Sequence, residues 1–325
     1  MLMANQSTYK ILNYYDLGMI DYKKAWDIQK EIFELRNENL IPDTLMLLEH
    51  PHTYTLGKVA DKENLISTQK QLNDLGIKVY NIDRGRDITY HGPGQIVGYP
   101  IINLNNWRKD THAYLRALEE IIILTCNEFG LAAKRNPKYT GVWIDDRKIA
   151  AIGIKVSRWI TMHGFAFNIN TDLGYYGGII PCGIKDKEVT SLKKEINSMN
   201  LGAIRQRRTD PLKADCSAAT CPPLHFGRRG DGEPARPARL ASQSKRANGL
   251  YPTFSSADSP CIASAKQGAE REGGLKKGID LAEVKNCLIK NFKIIFEYSE
   301  LHLLHKNNLF SILSKSENQI PLNTE

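Results

Sequence analysis

Two breaks in composition constrain this chain more than any single motif. Up to about Asn200 the sequence is rich in Ile, Lys, Asn and Tyr. From Leu201 to about Gly274 it turns to Ala, Arg, Pro, Gly and Ser, as in CPPLHFGRRGDGEPARPARLASQSKRANG. At LKKGIDLAEVKNCLIKNFKIIF the first style returns. The middle stretch has no sustained period and few large aliphatics, so it buries too little apolar area to offset chain entropy. It reads as a disordered insertion, 201–274, in a surface loop, where extra length costs little. The folded part is then one domain made from 1–200 and 275–325.

The insertion also explains the charge. The chain of 325 residues has a formal charge of +8, a value that ordinarily points to nucleic acid. More than half of that excess falls between 201 and 275, where the arginines lack the interleaved aromatics of a nucleic-acid groove. No nucleic-acid partner is expected. The longest apolar runs, such as Ile121-Ile122-Ile123-Leu124, are too short to cross a bilayer. The N-terminus lacks the features of a signal peptide, so no membrane and a cytoplasmic location are expected. Six cysteines in a chain this long do not make a disulfide scaffold. Cys126 and Cys287 fall in helical patterns and read as core. Cys216, Cys221 and His225 are too loosely spaced for a structural zinc site, so no metal is expected.

The first style has α/β character. DYKKAWDIQKEIFELR puts Ala25, Ile28, Ile32 and Leu35 on one helical face. DTLMLLEH and QIVGYPIINL are strand candidates. DTHAYLRALEEIIILTCNEFG reads as a helix with Asp110 or Thr111 as cap, Leu115, Leu118 and Ile122 inward, and Gly130 as stop. GVWIDDRKIAAIGIKVSRW gives two strands around an Asp145-Asp146 turn. MHGFAFNIN alternates at Phe165, Phe167 and Ile169, which predicts a strand with one buried face. DLAEVKNCLIKNFKIIF closes the domain as a helix, with Asp280 and Glu283 in capping-box positions. The sum is a mixed β-sheet flanked by helices.

Three stretches carry chemistry. In RGRDITYHGPGQIVGYP, Arg84, Thr89, His91 and Gln95 crowd polar groups beside a Gly92-Pro93-Gly94 turn that can approach a ligand closely. Taken alone, a polar hairpin turn is the favoured reading, and a P-loop is excluded because no Gly-Lys-Ser/Thr follows. In KYTGVWIDDRKIAAIGI, Lys148 enters an apolar strand. A lysine held in an apolar pocket can act in proton transfer, although a lysine snorkelling from a strand edge to water is the more usual case. In GGIIPCGIKDKEVTSL, Cys182 stands between a proline and a glycine. A core cysteine and a nucleophile at a pocket mouth both fit that setting.

Taken together, RGRDITYHGPGQIVGYP, TGVWIDDRKIAAIGIKVSR, MHGFAFNIN and IIPCGIKDKEVTSL resemble the ordered motifs of the lipoyl(octanoyl) transferases. LEHPHTYTLGK resembles that family's early strand and loop. The resemblance runs from about residue 10 to 198 and resumes near 276. It implies the biotin/lipoate protein ligase catalytic fold. The implied reaction moves an octanoyl group from octanoyl-acyl carrier protein to a lysine of a lipoyl domain, in 2-oxoacid dehydrogenases or the glycine-cleavage H protein. By the same resemblance Cys182 matches the nucleophile that holds the acyl group, and Lys148 matches the partner that lowers the thiol's pKa. Arg84, Gly85, Arg86, Asp87, Ile88, Thr89, Tyr90 and His91, then Ala151, Ile152 and Gly153, then Gly164, Phe165 and Ala166, match the segments that line the acyl site.

The chemistry is coherent without a cofactor. Exchange between thioesters is nearly isoenergetic and thioester to amide is downhill, so no ATP is required. A nearby cation favours thiolate over thiol. Backbone N–H groups near Cys182-Gly183 or in the glycine-rich turn are the candidates for the developing oxyanion. One position departs from the family pattern, which has a second glycine where this chain has Arg86. Competing readings are an ATP-dependent lipoate or biotin protein ligase, and a binding protein impaired by Arg86 and the insertion.

Overall fold

The computed structural model describes residues 10–183, 187–209 and 278–317. Strand β1 (Ile11–Met19) leads into helix α1 (Tyr22–Asn37), which Asp21 caps by accepting the Lys23 N–H. Then come β2 (Asp43–Glu49), β3 (Thr53–Leu56), α2 (Gln69–Asp74), β4 (Lys78–Asn81), β5 (Thr89–His91) and β6 (Gln95–Ile101). Helix α3 (Thr111–Glu128) follows, with Asp110 as its cap. Four strands succeed it: β7 (Lys134–Arg135), β8 (Val142–Ile144), β9 (Arg147–Ser157) and β10 (Ile160–Asn168). After short 3-10 turns at Leu173–Gly178 and Pro181–Gly183 the chain forms α4 (Leu192–Thr209). It ends in α5 (Leu281–Ile295), β11 (Glu300–Leu303) and α6 (Lys306–Glu317).

The main sheet has eight strands in the order β11-β1-β2-β6-β10-β9-β8-β7, and a smaller one has the order β4-β3-β5. β1 runs parallel to both β2 and β11, and the pairs from β2 through β6, β10, β9 and β8 to β7 are antiparallel. The sheet is therefore mixed, as expected. α1 and α6 cover one face, where Ile28, Ile32, Leu309 and Leu313 meet Met46, Leu48, Val97 and Met162. On the other face α3 packs against α5, and the Phe165 ring lies 6.2 Å from that of Phe292. Each large side chain buried this way contributes about 1.5–3 kcal/mol.

Helices on both faces correct one expectation. β10 is buried along its whole length, not on one face. Two helical stripes are also displaced. Phe33 is buried on α1 where Leu35 is only partly so, and on α3 Tyr114 takes the inward place expected for Leu115. A helical side chain leans toward the N-terminus, which shifts the surface it covers relative to its Cα. Gly130 does stop α3: its N–H reaches Asn127 O and the Leu131 N–H reaches Cys126 O, the paired bonds of a Schellman ending. Asp280 caps α5 through the Ala282 N–H, one residue short of Glu283.

The chain divides into two compact units, Met1–Ser198 with Ser256–Glu325, and Met199–Ser255. α4 continues to Thr209, so regular structure persists past the change in composition at Leu201. The remainder of 201–274, with Cys216, Cys221, His225 and Cys261, lies outside the described residues. Among the described residues no helix is long and apolar enough to cross a membrane.

Candidate active site

The Arg84–His91 loop is held by backbone traffic from several directions. Arg84 is buried, and its guanidinium donates to Gly85 O, Asp87 O, Thr55 O and Thr55 Oγ1 at 2.8–3.0 Å. The Gly85 N–H donates to Ile154 O of β9. A Cβ on Gly57 would fall 1.9 Å from the Arg86 carbonyl oxygen, so only glycine permits that close approach. Arg86 itself has φ 79°. The position therefore asks for a left-handed residue, which fits the glycine that the sequence resemblance implies there. Arg86→Gly is expected to stabilise the protein by about 1 kcal/mol, the cost of a left-handed non-glycine residue less glycine's added unfolded-state entropy. Thermal unfolding checks this, and a lower Tm in the variant would refute it.

Beyond this loop a narrow pocket reaches toward the sheet. Ten of the expected residues line it: Arg84, Arg86, Thr89, His91, Ala151, Ile152, Gly153, Gly164, Phe165 and Ala166. Gly85, Asp87, Ile88 and Tyr90 are not in the lining. Strand alternation turns Ile88 and Tyr90 into a second core with Leu56, Leu72 and Ile77. Asp87 turns to the Asn64 side-chain amide, 2.6 Å away. Tyr22, Val97, Tyr99 and His163 line the cavity without any local signal in the sequence. Tyr22 arrives at the start of α1, far from every motif.

Burial keeps the histidines in and behind the wall uncharged. His50 Nε2 meets Tyr99 OH at 2.7 Å, and burial lowers the His50 pKa to about 4. Burial also holds His91 well below the usual imidazole value, with Nδ1 2.9 Å from Gln95 Oε1. Apart from Arg84 and Arg86 the lining is largely apolar, which suits an aliphatic chain.

His163 takes an unusual path. Its φ is 58°, in the middle of β10. Alternation alone would aim it with Phe165 and Phe167, yet its ring lies beside Trp26 of α1 and its Nε2 meets Asp83 Oδ1 at 2.8 Å. Its N–H leaves the ladder for Gln29 Oε1. The neighbouring Gly164 allows the strands to close, because a Cβ there would sit 2.2 Å from Gly98 O. Asp83 also receives Lys155 Nζ at 2.5 Å. Hydrogen bonding from His163 holds the Asp83 carboxyl below the usual carboxylate range.

Lys148 is buried on β9, upstream of Ala151 by about 10 Å at 3.3 Å per residue. It is not in the cavity lining. Its ammonium lies 4.9 Å from the centroid of the Trp143 ring. Its backbone pairs with the segment that follows the Cys182 turn: Lys148 N–H to Glu188 O at 2.8 Å and Thr190 N–H to Lys148 O at 2.9 Å. Cys182 occupies the 3-10 turn Pro181–Gly183, and only its backbone is described. That turn is tied to Asn64 through the Ile180 N–H, and a Cβ on Gly183 would stand 2.9 Å from Asp87 Oδ2. The turn thus abuts the Arg84–His91 loop, and Lys148 pairs with the segment that follows the turn. Two expected oxyanion donors are engaged elsewhere in this conformation: Gly183 N–H with Ile180 O, and Gly94 N–H with Glu49 Oε2.

Comparison with known proteins gives the class, an acyl-transferring catalytic domain of protein lipoylation. The family model of the lipoyl protein ligase A/B catalytic domain matches residues 21–212, and the chain belongs to that family. An octanoyltransferase of Christiangramia forsetii is 50% identical over 210 residues, which cover 59% of this chain and 90% of that protein. One of Flavobacterium johnsoniae is 52% identical over 197 residues, covering 56% and 85%. Among solved structures, a crystal structure of lipoate-protein ligase A bound with ATP aligns with TM-score 0.53 and 10% identity over 98% of this chain and 97% of that one. A bi-partite lipoate protein ligase from Thermoplasma acidophilum aligns with TM-score 0.51 and 12% identity over 95% and 93%. At such identities the structural likeness speaks for the fold alone.

Proposed function

We propose that this acyltransferase of protein lipoylation takes an octanoyl group from octanoyl-acyl carrier protein and passes it, through a thioester on Cys182, to a lysine ε-amine. The acceptors are lipoyl domains, those of 2-oxoacid dehydrogenases and the glycine-cleavage H protein. Octanoyl transfer as the reaction rests on the octanoyltransferases that share half of this chain's aligned residues. The observation that carries the Cys182 mechanism is the pairing of Lys148 with Val189, seven residues past the cysteine, while Gly183 abuts the Arg84–His91 loop.

In the first step the Cys182 thiolate attacks the donor carbonyl, the carrier's C–S bond breaks, and the carrier thiol leaves with a proton. In the second the acceptor amine attacks the Cys182 thioester, the C–N bond forms, and the Cys182 C–S bond breaks. Lys148 is the cation that favours thiolate and then the base that receives the amine proton. The cavity between Tyr99, Phe165 and Ala166 holds the aliphatic chain.

Intact-mass measurement after mixing with octanoyl-acyl carrier protein tests the reading. One octanoyl increment is expected, lost on addition of a lipoyl domain that gains it. No increment on the parent protein would sink the thioester intermediate. Transfer from octanoate and ATP instead would establish the ligase alternative.

A further inference from the structure

Arg86 does more than tolerate an awkward backbone. Its side chain lines the cavity and is exposed at the mouth, and Nη2 donates to Thr140 Oγ1. Both ends of that bond stand on anchored loops. On one side the Arg86 peptide is wedged against Gly57, the Lys58 N–H holds Arg84 O, and Arg84 clamps Gly85 O and Asp87 O. On the other, Asn136 Oδ1 accepts the Lys138 and Tyr139 N–H groups. The Gly141 N–H donates to Glu119 Oε1. Gly141 also borders Lys148, whose Cε would be 3.5 Å from a Cβ added there. The bond therefore spans the gap between the cavity loop and the loop that walls Lys148.

We propose that Arg86 and Thr140 form a latch over the cavity mouth, and that this latch makes the acyl thioester select an amine over water. The inference rests on the Cys182 thioester proposed above. With fixed loops on either side, the movable part is the arginine side chain. Its closure is secured by an exposed hydrogen bond, so opening to admit an acyl chain is easy. Closed, the guanidinium and its aliphatic stem cover the chain and keep bulk water away from the carbonyl, which protects a reactive intermediate. The reaction it suppresses is hydrolysis. Water attacks the thioester carbonyl, the Cys182 C–S bond breaks, the sulfur regains a proton, and octanoic acid leaves.

The test follows the lifetime of the octanoyl-enzyme without acceptor. The parent protein and the variants Thr140→Ala, Thr140→Ser, Arg86→Ala and Arg86→Gly are loaded with octanoyl-acyl carrier protein and freed of donor. They are then followed by intact mass and by released octanoate, with thermal unfolding to verify folding. Thr140→Ala, Arg86→Ala and Arg86→Gly should each lose the acyl group about ten-fold faster, the population shift expected for one lost charge-assisted hydrogen bond. Thr140→Ser keeps the hydroxyl and should keep the parent lifetime. Equal lifetimes in the parent, Thr140→Ala and Arg86→Ala would overturn the latch. So would faster decay confined to Arg86→Gly, which would assign the effect to the backbone of the loop. A parent protein that takes up no octanoyl group would overturn the latch together with the thioester reading.

Discussion

Cys182→Ala is expected to remove the octanoyl adduct and to lower turnover by at least about a thousand-fold, because the proposed thioester then has no sulfur on which to form. Lys148 should separate into two roles. Lys148→Ala is expected to lower both loading and transfer, by roughly 10²–10⁴ in rate, the range of a general acid or base. Lys148→Arg keeps a cation but cannot give up its proton at working pH. It should therefore form the adduct and fail to discharge it to the lipoyl domain. Rapid-quench intact mass reads loading, and gel shift of the acceptor reads transfer. Full transfer by Lys148→Arg would show that the lysine is not the base.

Asp43→Ala is expected to destabilise the fold by about 3–5 kcal/mol, since it strands a buried cation. Asp43 Oδ1 accepts from Arg36 Nε at 2.8 Å and from the Asn103 N–H at 2.9 Å, and Oδ2 accepts from Tyr298 OH at 2.8 Å. The Arg36 and Asp43 side chains are only 6% and 4% exposed. One carboxylate thus joins the end of α1, the start of β2, the turn after β6 and the segment after α5. Thermal unfolding should drop by roughly 10 °C at the usual 2–4 °C per kcal/mol for domains of this size. The paired replacement Arg36→Met with Asp43→Leu should recover much of the loss, because neither charge is then left alone. A loss in Asp43→Ala below about 1 kcal/mol, the level of an exposed pair, would refute the role of this hub.

How much of this was legible in the chain differs from element to element. The caps at Asp110 and Asp280 and the stop at Gly130 follow from local hydrogen bonding, so residue order reveals them. The β8–β9 hairpin follows from its turn. β10 misled because alternation assumes a sheet open on one side, whereas helices cover both faces. Within RGRDITYH the motif named the right loop but not which residues face the cavity. Thr89 and His91 do, while Ile88 and Tyr90 fill a different core.

The sequence by itself determined the family, the chemistry offered by a cysteine and a lysine, and the departure from glycine at position 86. These reside in residue type and local backbone, which travel with the chain. Only the tertiary structure decided who stands beside whom. It brought Tyr22, Tyr99 and His163 into the cavity, engaged the Gly183 and Gly94 N–H groups, and set Arg86 against Thr140. The reason is that such neighbours are chosen by strand order and packing between distant segments, and no local pattern encodes a partner that lies more than fifty residues away.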